Sequence, residues 1–247
     1  RGSWLDFEFD PKDILYFRID RKKKLPITTM LYALGFPRNK IINLFYTSNK
    51  YTLDGESKKW KTNFEPLDFK RPIKLTSDIY DSKNNKKILS NGEKLNLIIA
   101  RKLQEKGLKE ILIHQSELIG RYTSEDIKDQ NGDIILLSGF NITEEVLEKI
   151  NSKNISQLSL VNIDLINKGP YLLETLKIDK NNNKEDALND IYKVIRPGEA
   201  PTIEVAEEVF KNLYFSKERY DLSEVGRVKL NSKLTFKSAT KQTILNK

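Results

Sequence analysis

Two arginines raise the first chemical question. Arg196 precedes a rigid Pro197-Gly198 turn, and Arg219 follows the short helix expected after it. Pro201 and Thr202 suit that helix's first turn, where a missing N–H leaves nothing unpaired. Glu204 falls in the same turn, against the positive end of the helix dipole. Val205, Val209, Phe210 and Leu213 recur at helical spacing as one apolar stripe. A short helix with a guanidinium at either end could clamp a phosphate or a base edge. The same arginines could instead pair with Glu199, Glu218 or Asp221 and serve only the fold. Spacing alone favours that second reading, since surface charge pairs are common.

A second cluster lies at the N-terminus. Leu5, Phe7 and Phe9 share one parity and predict a strand face, with Trp4 on the opposite parity beside Asp6 and Glu8. A Trp off the apolar face is either a half-buried rim residue or a stacking platform. A second strand, Ile14 to Asp20, leads into Arg21-Lys22-Lys23-Lys24, the densest run of cations in the chain. That run is either a solvated turn or a contact to a phosphate backbone, which positions nucleic acid without reading its sequence.

The elements that must hold these groups alternate in type. Pro26 should start a helix carrying Thr29, Met30, Ala33 and Leu34, stopped by Gly35 and Pro37. A short packed helix is expected at Ile41 to Phe45. After about Tyr46 the chain turns polar, with Trp60 and Phe64 as local anchors. A pseudo-repeat follows, in which Lys102 to Ile113 aligns with Lys149 to Leu160 at an offset of 47 residues. Gly107 and Asn154 stand where a left-handed helix cap is expected. Asn84-Asn85 and Asn131-Gly132 suit hairpin turns upstream. The repeated unit is therefore hairpin, helix, strand. His114 is the only histidine and reads as structural; Thr143 reads as a helix cap. A strand is expected from Tyr171 to Ile178, then a loop to Lys184. A further helix through Ala187, Leu188, Ile191 and Val194 delivers the chain to Arg196.

Several blocks resemble the lobe of the bacterial DNA-directed RNA polymerase β subunit: GSWLDFEFDPKD from Gly2, RIDRKKKLP from Arg18, GPYLLETLKID from Gly169, RPGEAPT from Arg196 and FSKERYDLSEVGRVKLN from Phe215. The resemblance implies an α+β fold, a helix-rich lobe over residues 1–45 and 169–231. A smaller α+β insertion domain with the internal pseudo-repeat would interrupt it at 46–168, and a basic tail, 232–247, would lead into a further domain. The chain is expected to be a piece of a longer protein. The resemblance also implies contacts with the non-template strand and downstream duplex DNA. Trp4 would stack on a base, Asp20 would accept from a base edge or orient a cation, and Arg196 and Arg219 would hold phosphate or bracket a base. Arg21 belongs with them through its basic run. The implied partners are the other polymerase subunits (α, β′, ω) and a sigma factor, in the cytoplasm and away from membranes. An alternative is a protein-interaction module that docks a polymerase-associated factor through the insertion.

Catalysis is not expected from this stretch alone. The sequence has no Walker-type loop, no GxSxG and no HExxH. It has no cysteine, which excludes disulfides and thiolate metal sites. Asp6, Glu8 and Asp10 alternate on one strand face, as exposed strand polarity does. No cofactor is expected here; by the resemblance, Mg²⁺ belongs to the whole enzyme and is held by another subunit. The net charge of +8 is unevenly spread: +4 in 1–45, +2 in 46–168, −2 in 169–231 and +4 in 232–247. Only local clusters therefore point to nucleic acid.

Overall fold

The computed structural model describes residues 1–163, 169–234 and 244–245. Most of the expected basic tail, beyond Leu234 and apart from Ile244 and Leu245, lies outside the described residues. The described chain is mixed α+β, with eight α-helices and antiparallel sheets. It opens with strands β1 (Leu5–Phe9), β2 (Leu15–Ile19) and β3 (Leu25–Pro26), then helices α1 (Ile27–Ala33) and α2 (Arg38–Phe45). Strands β4 (Ser48–Leu53), β5 (Trp60–Asn63), β6 (Ile73–Lys74), β7 (Ile79–Asp81), β8 (Lys87–Leu89) and β9 (Lys94–Leu95) precede α3 (Leu97–Glu105). Next come β10 (Glu110–Ile113), β11 (Ile127–Lys128), β12 (Ile134–Leu136), α4 (Glu144–Ser152) and β13 (Gln157–Val161). Helices α5 (Tyr171–Ile178), α6 (Lys184–Ile195), α7 (Ile203–Tyr214) and α8 (Glu224–Lys233) complete it. The chain divides into two compact units, Arg1–Pro37 with Ile178–Lys247, and Arg38–Lys177.

The first unit joins distant segments. Its sheet, ordered β1-β2-β3, buries Phe17 and Ile19. Helices α1, α6 and α7 pack in sequence. The join is chemical as well as apolar. Asp179 is buried and accepts from the hydroxyls of Thr28 and Thr29 (2.5 and 3.0 Å) and from the Asn181 N–H (2.9 Å). Thr28 and Thr29 lie in the first turn of α1, where a carboxylate also meets the positive end of the helix dipole. Asn183 then caps α6, accepting from the Asp186 N–H at 2.9 Å.

In the second unit a six-stranded sheet runs β13-β4-β5-β10-β7-β8. Its core includes Trp60, Leu95, Ala100, Leu118, Ile142 and Ile150. The departing strand β4 pairs with the returning strand β13, Tyr51 opposite Leu158. Helices α3 and α4 are each nine residues long. Asn96 caps the first through the Ile99 N–H, and Thr143 the second through the Val146 N–H. Both end alike. Leu108 donates to Leu103 O and Gly107 to Gln104 O; Ile155 donates to Ile150 O and Asn154 to Asn151 O. That pair of bonds is the Schellman closure, which requires a left-handed residue, and φ is +95° at Gly107 and +53° at Asn154. Upstream, the hairpins β7–β8 and β11–β12 align Ile79 with Leu89 and Ile127 with Leu136.

Three expectations need correction. Tyr171 to Ile178 is not a strand but helix α5. Leu172, Leu173 and Leu176 fall on one helical face and are buried, and the segment has no β-branched run to favour a strand. In α2 only Ile41 and Ile42 are buried, while Leu44 and Phe45 are exposed. In α7 the core face is Ala206, Phe210 and Tyr214, so Val205, Val209 and Leu213 form a second, outer stripe.

Asp179→Ala strands three donors in the interior and should lower stability by about 3 kcal/mol, given about 1.5–3 kcal/mol for a bond to a charged group; urea unfolding measures it. No atom lies within 4 Å of a Cβ built on Gly107, so backbone conformation alone should set the cost there. Gly107→Ala and Asn154→Ala should each cost about 1 kcal/mol in the same assay, and Gly107→Asn clearly less, because Asn tolerates the left-handed region.

Candidate functional site

The first unit builds the site from the β1–β2 hairpin and the ends of α6 and α7. The ladder sets Leu5 opposite Ile19, which carries Trp4 to Asp20. Asp20 N–H donates to Trp4 O (3.0 Å), and the Trp4 N–H donates to the Asp20 carboxylate (2.7 Å). Tyr214, nearly fully buried, also donates its hydroxyl to Trp4 O at 3.3 Å. Burial, with Asp20 and Asp6 nearby, pushes the Tyr214 phenol far above its ordinary pKa, so it stays a donor. The Trp4 backbone is thereby held while 66% of the residue's surface stays open to solvent.

The turn beyond is strained. Asp20 and Arg21 both have positive φ (+48° and +58°), and the Lys22 N–H closes the turn on Ile19 O at 3.0 Å. A left-handed Arg costs about 1–2 kcal/mol. The turn carries the Arg21 guanidinium over the Trp4 ring, 5.6 Å from its centroid. The next residue ties the hairpin to α6, with Lys22 Nζ donating to Ile195 O at 2.7 Å.

Arg196 follows directly as the C-terminal cap of α6, before Gly198 reverses the chain at φ +85°. Its guanidinium lies 3.8 Å from Glu199 and 5.9 Å from the Tyr192 ring centroid. Both partners of the ion pair are more than half exposed, so the pair is weak. Tyr192 donates to Glu199 at 2.6 Å, a bond that raises the Tyr192 pKa. Arg219 sits in the turn after α7, its N–H donating to Ser216 O at 3.2 Å. It is exposed, and its guanidinium has no hydrogen bond or ion pair among the described residues.

Arg196 and Arg219 line one concavity of about 450 Å³ together with Gly2 and Ser3, the residues just before Trp4. The outer stripe of α7, Val205, Val209 and Leu213, forms its apolar wall, and Glu208 and Asn212 of the same helix reach into it. A second concavity, about 520 Å³, holds Lys22, Lys23 and Lys193 with Asp190, beside Val194 of α6 and Pro197. Trp4, Asp20 and Arg21 thus form one contact group, and Arg196 and Arg219 another, with Ser3 and Lys22 connecting the two. Sequence reasoning missed Lys193, Glu208 and Asn212. The available signal was a pair of polar residues four apart inside the apolar stripe of α7. Among the described residues no group of His, Cys, Asp or Glu is arranged to hold a metal ion.

The chain is similar to known proteins along its length. A family described as RNA polymerase Rpb2, domain 2, matches residues 1–131 and 134–247. A DNA-directed RNA polymerase subunit beta of Rickettsia massiliae (strain Mtu5) is 46% identical over 248 residues, 99% of this chain and 18% of that protein. The subunit beta of Ehrlichia canis (strain Jake) is 44% identical, over 100% of this chain and 18% of the relative. That of Rhizobium leguminosarum bv. trifolii (strain WSM2304) is 43% identical with the same coverage. The chain therefore spans less than a fifth of the curated relatives it matches.

The geometry of the hairpin yields its own prediction. Asp20→Gly keeps the left-handed turn but removes the acceptor for Trp4, and should cost about 1 kcal/mol. Asp20→Ala loses both and should cost more. Iodide quenching of Trp4 fluorescence should change in both variants, while the buried Trp60 remains protected.

Proposed function

The chain belongs to the RNA polymerase Rpb2 domain 2 family, and on that premise we propose that it is the lobe of a bacterial RNA polymerase β subunit, contacting the non-template strand at the downstream edge of the transcription bubble. The observation that carries this reading is the concavity lined by Arg196, Arg219 and Ser3, the residue next in sequence to the exposed, backbone-clamped Trp4. Trp4 supplies a stacking plane, and base–aromatic stacking is worth about 1–3 kcal/mol per base. Arg196, Arg219 and Arg21 supply charge for phosphates, and Lys22, Lys23 and Lys193 extend that charge along the second concavity. Asp20 acts here chiefly by holding Trp4 in place.

The whole protein in this reading is a nucleotidyltransferase of the bacterial cytoplasm. Its other subunits (α, β′, ω) and a sigma factor are the partners, and its catalytic Mg²⁺ is held outside this chain. Residues 1–45 and 169–231 form the lobe proper, and residues 46–168 are an insertion that arose by duplication of a hairpin–helix–strand unit. Supporting the insertion, the strands that leave and return are paired, β4 with β13, and Tyr46 donates to Gly169 O at 2.8 Å where the two ends meet. Supporting the duplication, caps, helix lengths and Schellman bonds recur 47 residues apart. Near-balanced charge and the exposed Ile98, Ile134 and Leu137 suit the insertion to a protein partner rather than DNA.

In a polymerase carrying this chain, Trp4→Ala should shorten open-complex lifetime by roughly fivefold or more, from the stacking energy removed, with nucleotide addition nearly intact. Arg196→Ala should shorten it as well and reduce the slope of log affinity against log salt by about one. Wild-type lifetimes in both variants would reject the strand-binding reading.

A further inference from the structure

The turn of the β11–β12 hairpin carries chemistry that strand binding does not use. Asn131 stands directly before Gly132, and both are exposed. An asparagine carboxamide lies within reach of the backbone nitrogen of the next residue, and glycine, with no Cβ, leaves that nitrogen uncrowded. Gly132 has φ +88°, and no atom lies within 4 Å of a Cβ built on it. The Asn131 carboxamide has no hydrogen bond among the described residues. What holds the turn is local. The Asn131 and Asp133 N–H groups donate to one Asp129 carboxylate oxygen (2.9 and 3.0 Å), and the Gly132 N–H donates to Asp129 O (3.0 Å).

The sequence has another Asn-Gly pair, Asn91-Gly92, also exposed and with glycine φ +86°. That one is tied to a distant segment. The Asn91 N–H donates to the Asp78 carboxylate (2.8 Å), Gly92 N–H to Leu75 O (2.9 Å) and Leu75 N–H to Glu93 O (2.9 Å). Freeing the Gly92 nitrogen means parting two stretches of chain, whereas freeing that of Gly132 opens only its own turn. In the first copy of the pseudo-repeat the β7–β8 turn holds Asn84-Asn85 instead. There the second residue has a Cβ, and the Asn84 side-chain oxygen is already taken by the Lys86 N–H (2.9 Å).

We propose that Asn131 is a self-modifying site, which converts through a cyclic imide to aspartate and isoaspartate with water as the only co-reactant. The Gly132 nitrogen loses its proton to solvent and bonds to the Asn131 side-chain carbonyl carbon. The bond from that carbon to Nδ2 breaks, and Nδ2 takes up a proton and leaves as ammonia. Water then opens the imide. Attack at the side-chain carbonyl gives aspartate; attack at the backbone carbonyl gives isoaspartate, whose main chain runs through the side-chain carbons. Either product places a new carboxylate between Asp129 and Asp133. Isoaspartate also lengthens the backbone between the two N–H groups that share one Asp129 oxygen, so both bonds cannot keep their geometry. The turn loosens, and with it the hold of Asp129 on Lys153 at the end of α4 (3.2 Å).

The test incubates the polymerase carrying this chain in buffer, then separates and weighs its proteolytic peptides over time. Asn131 should convert about tenfold faster than Asn91, from the additional bonds that must open at the latter, and Asn84 should be slower still. The product should separate into two isomers of equal mass, one of them a substrate for an isoaspartate methyltransferase. In urea, where neither turn is held, the Asn131 and Asn91 rates should come within about twofold of each other. Asn131→Gln keeps the amide but must close a larger ring, so residue 131 should stay unconverted while Asn91 reacts as before. An Asn131 rate no higher than that of Asn91 in the folded protein, a ratio unchanged by urea, or aspartate formed without isoaspartate overturns the proposal.

Discussion

One buried carboxylate holds the first unit together. Asp179 lies more than 150 residues from Thr28, yet both threonine hydroxyls at the start of α1 end on it. Its N-terminal half would otherwise be a small sheet and a two-turn helix, too little to bury a core alone. The carboxylate costs desolvation on burial, and three donors and a helix dipole offset that cost. The Asn181 side chain extends the network to Thr29 and to Asp190 on α6. The position of α6 follows from this joint, and with it the place where Arg196 leaves the helix.

The site then depends on strain held in a short turn. Two consecutive left-handed residues, one of them Arg, are unfavourable in isolation. They persist because the turn is fixed from both sides: Asp20 bonds the Trp4 backbone twice, and Lys22 reaches Ile195 O. The outcome is a tryptophan whose backbone is held by hydrogen bonds while most of its surface stays open to solvent.

The second unit solves a different problem, closing a polar segment on itself. The six-stranded sheet pairs its first strand in the chain, β4, with its last, β13, and Tyr46, just before β4, donates to Gly169 O. Both helices end through the same left-handed cap, once with Gly and once with Asn, the two residue types that bear it most readily.

Much of this was legible in the residues themselves. Alternation marked β1 and β2, helical spacing marked α1, α6 and α7, and the caps at Thr143, Gly107 and Asn154 could be named, because each depends on neighbours within one or two turns. The blocks around Trp4 and Arg196 identified the family. Helix α5 was misread as a strand because a short apolar run has no period long enough to separate the two. The apolar stripe of α7 was read as one face and is two, since burial of Phe210 and exposure of Val205 are decided by what packs against the helix. Only the tertiary structure could bring Trp4 to Asp20, set Arg196 and Arg219 around one concavity, and turn Glu208 and Asn212 into it. Those contacts join segments up to two hundred residues apart, and local spacing carries no information about distances that the rest of the chain must close.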